Sequence, residues 1–529
     1  MTFQIPDSVA GRTIAGMLRE RAESDPNRAA LVGCSPRLGE TTLTYAQLSW
    51  RARRFADALA RQGVQPGDRV GVMLGSDAAL EFSISMMAVH ELGGVFVPVN
   101  TRFALEEVVY VANKAGLTAL VAAQAHAEML RPARARMASV RSHIVLYNQT
   151  TDAADDWYTL YEQASVQRDR VPPSRPQDLA EILFTSGTTA HPKGAMMTHQ
   201  SALCSCYSVM GGQGIKKGSV WQSFMPVFTT GGVRCAAMGA WFAGATIVFD
   251  PALKVDEILA RMERVRTTNY VGTPAFYVFL LDEIKKRPVD LSNIQGFLFG
   301  GAPTTPEVIK RLHEGFPHIE LRNGFAPTET GPGGTGLFGD DVLAHPTSVG
   351  KPWPLVEVKV VADDDSTVPN GERGEICTRG PCIMQGYYGE PDKSAEALLG
   401  GWHHTGDIGI VDDQGYVYVV DRKKDMIIRG GHNIASLEVE SVLAQHPAVA
   451  EAAVVGVPHD KLGEDIHAFV MLRAGQSVTP EALRAFCADK LADYKTPRKY
   501  SVIDQLPRSS MGKVLKSELR ELAVSLAAS

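Results

Sequence analysis

The sequence is short of several things that would narrow its function at once. It has no long apolar run. The longest mostly apolar stretch, Ala236 to Phe249, is interrupted by Gly239 and Gly244. A membrane-spanning helix needs about 20 consecutive apolar residues, so this stretch is read as buried core and no transmembrane segment is expected. Positive charge is not in excess. Lys and Arg number 53 against 59 Asp and Glu, a formal net charge of −6, so no polybasic surface for nucleic acid is implied. The seven cysteines are scattered, with Cys204 and Cys206 the closest pair. No C-x-x-C pair or Cys/His metal spacing occurs, so reduced thiols in a cytoplasmic setting are expected, not a disulfide framework or a zinc site. A signal-peptide core is absent near Met1, and the terminal Ala-Ala-Ser529 is no peroxisomal address.

What is present is ordinary in amount and informative in order. The 529 residues are 45% hydrophobic and 21% charged, a globular balance in a chain too long for one core, so two or more domains are expected. The first half alternates helix and strand signals. Thr44-Tyr-Ala-Gln47 is a capping box, followed by Leu48, Ala52, Phe55 and Leu59 at helical spacing, with Gly63 as a stop. Arg69–Leu74 reads as a buried strand, a helix is expected near Ala78 to Leu92, and a second strand over Gly94–Val99. This βαβ rhythm predicts parallel sheets covered on both faces. It resumes with strands near Ala245–Phe249 and Asn269–Val271. Residues 340–420 change to short alternating strands such as Val356–Val361 and Gly415–Val420, read as a small antiparallel barrel. After the charged stretch Asp421-Arg-Lys-Lys-Asp425 comes a segment with its own core pattern. Ser436 is placed to cap a helix, and Thr479-Pro480 to open another. A domain boundary is expected near 421–425, since linkers tend to be polar and exposed.

One short segment carries chemistry on its face. Ala180-Glu-Ile-Leu-Phe184 reads as a strand, and Thr185-Ser-Gly-Thr-Thr-Ala-His-Pro-Lys193-Gly194 follows it. Glycine lets backbone N–H groups approach phosphate oxygens, hydroxyls add donors, and lysine adds a point charge. The spacing is not that of a Walker A loop, because position 192 is Pro. Composition alone would allow a surface turn.

The loop resembles the phosphate-binding signature TSGTTGxPKG of the adenylate-forming superfamily, which takes in acyl-CoA synthetases, luciferases and peptide-synthetase adenylation domains. Ala190 stands where that signature has Gly. Further segments resemble the family's signatures in the family's order, from about residue 40 to 515. Asn323-Gly-Phe-Ala-Pro-Thr-Glu329 resembles its YGxTE segment. There Phe325 offers a flat face to adenine, Thr328 a hydroxyl to phosphate and Glu329 a carboxylate to Mg²⁺, which takes one or two carboxylates plus phosphate oxygens. Trp402-His-His-Thr-Gly-Asp407 resembles the TGD segment, whose carboxylate takes the ribose hydroxyls, with Arg422 a second ribose partner. Lys424 falls on the hinge position. Met426-Ile-Ile-Arg429-Gly430-Gly431-His-Asn-Ile434 resembles the loop that enters the site for the second half-reaction. Pro507-Arg-Ser-Ser-Met-Gly-Lys513 resembles the catalytic-lysine segment. Pro226-Val-Phe-Thr-Thr-Gly-Gly232 replaces the usual Pro-x-Phe-His, with Thr229 in place of His. Gly300-Gly301-Ala302-Pro303 resembles the segment between adenine and acyl chain.

The resemblance implies an α/β protein: a large N-terminal domain (1–421) of two doubly wound sheets plus a small β-barrel, and a small mobile α+β domain (422–529) hinged near Lys424. It implies an AMP-forming acid–thiol ligase using ATP, Mg²⁺ and coenzyme A. Lys513, Glu329 and Lys424 are the expected catalytic and hinge residues. Thr185, Ser186, Gly187, Thr188, Thr189, Lys193, Gly301, Ala302, Pro303, Asn323, Gly324, Phe325, Thr328, Asp407, Arg422, Arg429, Gly430 and Gly431 are expected to hold nucleotide or CoA, with Thr185 and Glu329 at the metal. Phe228, Thr229, Gly231, Gly300 and Ala326 are expected at the acid. That acid is expected to be a medium- or long-chain fatty acid or a hydrophobic aryl acid. A carrier-protein phosphopantetheine supplied in trans is the alternative thiol. A luciferase-like oxygenase shares these motifs, whereas intact Glu329 and Lys513 argue against a nucleotide-binding regulator without turnover. Oligomeric state stays open, a homodimer included.

Overall fold

The computed structural model of the chain describes residues 3–166, 174–185, 191–287, 289–301, 304–508 and 514–528. The chain forms two compact units, residues 1–358 with 378–403, and residues 359–377 with 404–529.

The first unit contains two sheets. One has six strands in the order Ser142–Leu146, Leu117–Ala123, Arg69–Met73, Val95–Pro98, Leu179–Thr185 and Lys193–Thr198, parallel except for the last pair. The other has nine, in the order Lys351–Pro352, Thr335–Phe338, Glu320–Phe325, Gly296–Gly300, Asn269–Gly272, Val220–Ser223, Thr246–Phe249, Ala29–Ser35 and Gly39–Thr44. Its six inner strands are parallel and its edges antiparallel. Strands such as Val95–Pro98 are buried at every residue, as continuous apolar runs must be when helices cover both faces. The helix Tyr45–Arg61 starts where the capping box placed it. The Thr44 hydroxyl accepts from Gln47 N at 3.2 Å, and the Gln47 side chain accepts from Thr44 N at 2.9 Å. Such a cap contributes about 1 kcal/mol. Leu48, Ala52, Phe55 and Leu59 of that helix are fully buried. The helix Ala79–Glu91 is buried all round, with Glu81, Ser83, Ser85 and His90 buried among its apolar residues.

The sheets also decide where chemistry can sit. In open parallel sheets, ligands bind beyond the carboxyl ends of the strands. Thr185, Ser223, Gly300 and Phe325 each end a strand, and each leads into one of the singled-out segments.

The short strands expected to make a barrel form an open sheet. Glu357–Val361, Gly374–Arg379, His403–Val411 and Val417–Arg422 are neighbours in that order, and the path does not close. Four strands are too few to wrap an interior of side chains. Downstream, a five-stranded sheet runs His432–Ile434, Ile427–Arg429, Gly463–Leu472, Val449–His459, with Lys499–Val502 parallel to Gly463–Leu472. One core, with Val439, Leu443, Val454 and Leu483, is distinct from a second with Val455, Phe469, Leu519 and Ala523. Alternate residues of one strand feed the two cores, as the period of two requires. Thr479 caps the helix Pro480–Ala488 as expected. Ser436 does not cap: the cap position is Ala435. The Ser436 hydroxyl instead donates to Asp421 at 2.7 Å and accepts from Lys516 Nζ at 2.5 Å. Among the described residues, no helix is long and apolar enough to cross a membrane.

Candidate active site

In the first unit the phosphate-loop flanks are held by strand pairing. Thr185 and Lys193 are register partners, and the Thr185 hydroxyl points to the Lys193 carbonyl at 3.5 Å. Ser186, Gly187, Thr188, Thr189 and Ala190 between them lie outside the described residues, as do Ala302, Pro303 and Lys513. The Lys193 ammonium lies over the Tyr387 ring, 4.9 Å from its centroid. The Tyr387 hydroxyl donates to Glu329 Oε1 at 3.1 Å. Burial and the adjacent Glu329 raise the Tyr387 pKa, so the phenol stays protonated and remains a donor. Cation, phenol and carboxylate therefore converge from three segments far apart in sequence.

Residues 384–388 reach this place by adding to an edge. Met196 N donates to Gly386 O at 2.9 Å, Gln385 N to Met196 O at 2.8 Å, and Tyr388 N to Gly194 O at 2.8 Å. Met384 N then donates to the Glu329 carbonyl at 2.8 Å. Glu329 itself sits in the 3₁₀ turn Thr328–Thr330 beyond the strand Glu320–Phe325. The Thr328 hydroxyl meets that of Thr230 at 3.0 Å. Tyr387 and Thr230 were not singled out by the sequence.

The remaining expected residues of this unit take varied positions. Gly300 and Gly324 are register partners on adjacent strands. A Cβ at Gly300 would collide with the Gly324 carbonyl oxygen, so glycine is required for that approach. Gly301 follows, exposed. Asn323 is buried and donates to Ser348 O at 3.2 Å, while Phe325 and Ala326 are half-buried beyond it. Phe228 is only 8% exposed and packs in the main core. The Thr229 hydroxyl serves the backbone, donating to Pro226 O at 2.8 Å and accepting from Gly232 N at 3.1 Å. Gly231 then opens a π-helix, Gly231–Met238, a rare geometry that is frequent at functional sites.

In the second unit Asp407 and Arg422 are register partners, and Arg422 Nε lies 2.8 Å from Asp407 Oδ1. Asp407 is 2% exposed while Arg422 reaches solvent. Lys424 lies in the one-turn helix Lys423–Asp425. Burial, then the cations Arg422 and Arg520, lower its pKa against the pull of Asp425. Arg520 holds that turn, bonding Asp425 at 2.9 Å and the Lys424 carbonyl at 3.3 Å. Arg429 is buried and fully engaged: Nε meets Asp465 at 3.0 Å, and Nη1 donates to the carbonyls of Tyr494 at 2.7 Å and Thr496 at 3.2 Å. Gly430 and Gly431, with φ of 58° and 81°, make the two-residue turn between paired strands Ile427–Arg429 and His432–Ile434. A hairpin turn with both central residues left-handed favours glycine.

The donor set suits a hard cation shared with a polyphosphate. Tyr387 holds Glu329 Oε1, and Oε2 takes no hydrogen bond among the described residues. Among those residues no group of three His, Cys, Asp or Glu is placed to hold a metal ion. Magnesium fits such a site, because it is usually held by one or two carboxylates plus substrate phosphates, not by a protein cage. When bound, it supplies positive charge to the phosphate oxygens.

Residues 18–388 match the AMP-binding enzyme family, and residues 438–513 its AMP-binding enzyme C-terminal domain. A feruloyl-CoA synthase of Amycolatopsis is 34% identical over 504 residues, covering 94% of this chain and 97% of that one. The long-chain-fatty-acid–CoA ligase FadD13 of Mycobacterium tuberculosis is 31% identical over 512 residues, covering 96% and 98%. The O-succinylbenzoate coenzyme A synthetase MenE of Bacillus subtilis, solved with ATP and a magnesium ion, superposes with a TM-score of 0.84 at 28% identity, covering 96% of this chain and 100% of that one. With both family segments in order and the relatives matched over nearly their whole length, the chain belongs to the AMP-binding enzyme family, the adenylate-forming superfamily, as an AMP-forming acid–CoA ligase.

Proposed function

We propose that the chain makes an acyl-CoA from a hydrophobic carboxylic acid, a medium- or long-chain fatty acid or an aryl acid. The substrate carboxylate attacks the α-phosphorus of ATP with release of pyrophosphate, and the CoA thiolate then attacks the acyl carbonyl and expels AMP. The observation that carries this reading is the convergence of Lys193, Tyr387 and Glu329. The first step brings an anion to a polyanion, and fixed positive charge and donors in a site shielded from water count most there. Lys513 and the loop hydroxyls of Thr185, Ser186, Thr188 and Thr189 complete that charge balance. Asp407 and Arg422 take the ribose. Lys424 is the hinge between residues 1–421 and 422–529, and its movement exchanges Lys513 for the Gly430–Gly431 turn between half-reactions.

The acid class rests on the acid-side loop. Thr229 replaces an imidazole with a hydroxyl already committed to the backbone, and Met225, Cys235, Tyr207 and Met210 keep partial exposure against the core. Relatives named for ferulate and long-chain fatty acids support the same class. We place the reaction in the cytoplasm, in keeping with seven free cysteines, and take a homodimer as the assembly to test by sedimentation. Pyrophosphate release with a panel of acids, with and without CoA, tests the whole reading. The expected result is release with hydrophobic acids and CoA-dependent thioester. Saturable activity only on short or dicarboxylic acids would refute the acid class, and AMP formation without CoA-dependent thioester would refute the second step.

A further inference from the structure

We propose that the buried ion pair between Arg234 and Glu181 positions the acid-side loop Thr229–Gly232 against the strand that enters the phosphate loop, and so aligns the acid with ATP for the first chemical step. The inference rests on the ligase reading above.

Both side chains are fully buried, and Arg234 Nη2 donates to Glu181 Oε2. A buried ion pair is a poor way to gain stability, since apolar side chains of the same volume usually do as well or better. A core that needed only filling has no use for it. Its placement supplies a use. Glu181 lies on the strand Leu179–Thr185, four residues before the phosphate-loop threonine. Four residues of extended strand span about 13 Å without a bend. Arg234 lies on the π-helix Gly231–Met238, four residues after Thr230. Thr230 in turn meets Thr328, next to Glu329. The pair therefore joins the phosphate-loop strand of one sheet to the acid-side loop that follows Val220–Ser223 of the other.

Two histidines pack around the pair. His90 Nε2 lies 3.4 Å from Glu181 Oε1, and the His199 ring sits 5.7 Å from that of His90. Burial pulls the His199 pKa down to about 3, so His199 is neutral; its Nδ1 accepts from Ile14 N at 3.3 Å. Burial alone would push the Glu181 carboxyl up, but Arg234 and the adjacent His90 together outweigh it and hold it below the ordinary range. Arg234 Nη1 also reaches Met238 Sδ at 3.8 Å, one turn along its own helix. Both partners thus sit on regular elements, and a shift at the pair moves the loop as a body. A misplacement of about 1 Å in a reacting group lowers rate by about 10²-fold.

The test is the paired replacement Glu181→Leu with Arg234→Met, which removes both charges together and keeps the volume, assayed by acid-dependent ATP–pyrophosphate exchange. We expect a melting midpoint near that of the natural protein, a KM for ATP within about 2-fold, and a kcat lower by about 10²-fold with a raised KM for acid. A structural role alone predicts the reverse split, a changed midpoint with kinetics intact, and kcat and acid KM within about 2-fold of the natural protein would overturn the proposal. If the paired variant does not fold, Arg234→Lys serves: it keeps the charge and loses the fork geometry. A raised acid KM with unchanged ATP KM is then expected, and natural kinetics in that variant overturn the proposal. Absence of exchange with every acid in the natural protein itself would instead overturn the ligase reading.

Discussion

Tyr387→Phe removes one oxygen atom and tests the center of the site. The Tyr387 hydroxyl donates to Glu329 Oε1 at 3.1 Å, and the ring below it carries Lys193 at 4.9 Å. Phenylalanine keeps the ring and the lysine contact but frees the carboxylate. A hydrogen bond to a charged group contributes about 1.5–3 kcal/mol. Glu329 is half-buried, so water replaces the phenol and the stability loss stays below about 1 kcal/mol. The rest is expected in the transition state, where an unrestrained carboxylate would hold a bound magnesium ion less firmly. That corresponds to a fall of about 10- to 100-fold in kcat/KM for adenylation. ATP–pyrophosphate exchange measured across a magnesium titration is the assay, and the half-saturating magnesium concentration should rise. Tyr387→Ala removes the ring as well. A cation–π contact of about 0.5–2 kcal/mol is then lost, and the KM for ATP should climb above that of the Phe variant. Exchange within about 2-fold of the natural protein in Tyr387→Phe, with an unchanged magnesium dependence, would refute the reasoning.

Three further outcomes are expected. Lys513→Ala should lower adenylation by at least about 10²-fold, the usual size for one lost transition-state donor, while thioester formation from supplied acyl-AMP survives; near-normal pyrophosphate exchange would sink the assignment. Lys424→Pro should give the opposite pattern, with adenylation spared and thioesterification slowed, and equal loss of both would argue against a hinge in the Lys423–Asp425 turn. Glu91 gives a pH effect: burial, opposed by Arg19 and Arg53, raises its carboxyl from 4.5 to about 7. The folded chain keeps a proton that the unfolded chain releases, so this group's contribution to stability falls as pH rises from about 4.5 to 7, by at most about 3 kcal/mol. Glu91→Gln should flatten the melting midpoint over that range, and parallel curves for the two proteins would exclude the effect.

The parts of the fold written in local pattern were legible. The strand expected at Ala180–Phe184 is Leu179–Thr185, that at Arg69–Leu74 is Arg69–Met73, and the capping box at Thr44 forms with both its bonds. These depend on neighbors within a few residues. Ser436 shows the limit of that reasoning. Its cap chemistry is sound, but Asp421 and Lys516, 15 and 80 residues away, take the hydroxyl instead. Tyr387 was illegible for the same reason. It is one of 14 tyrosines, and only its segment's pairing with the edge strand Lys193–Thr198 brings it to Glu329. The barrel failed because strand signals specify alternation and not closure, which depends on how many strands meet.

Arg234 and Glu181 mark a different boundary, because a sign of them was present. Glu181 stands inside an apolar run read as a strand, and Arg234 stands two residues before the apolar stretch Ala236–Phe249 that reads as core. A charge cannot stay in such a place alone. Removal of an isolated carboxylate from water costs many kcal/mol, so each charge required a partner of opposite sign within reach. The sequence therefore contained two debts of opposite sign flanking the phosphate loop and the acid-side loop. Pattern reading asks where apolar residues recur and passes over both. Asking which charges lack an exit to solvent would have paired them, and in pairing them would have brought together the two loops between which the chemistry occurs.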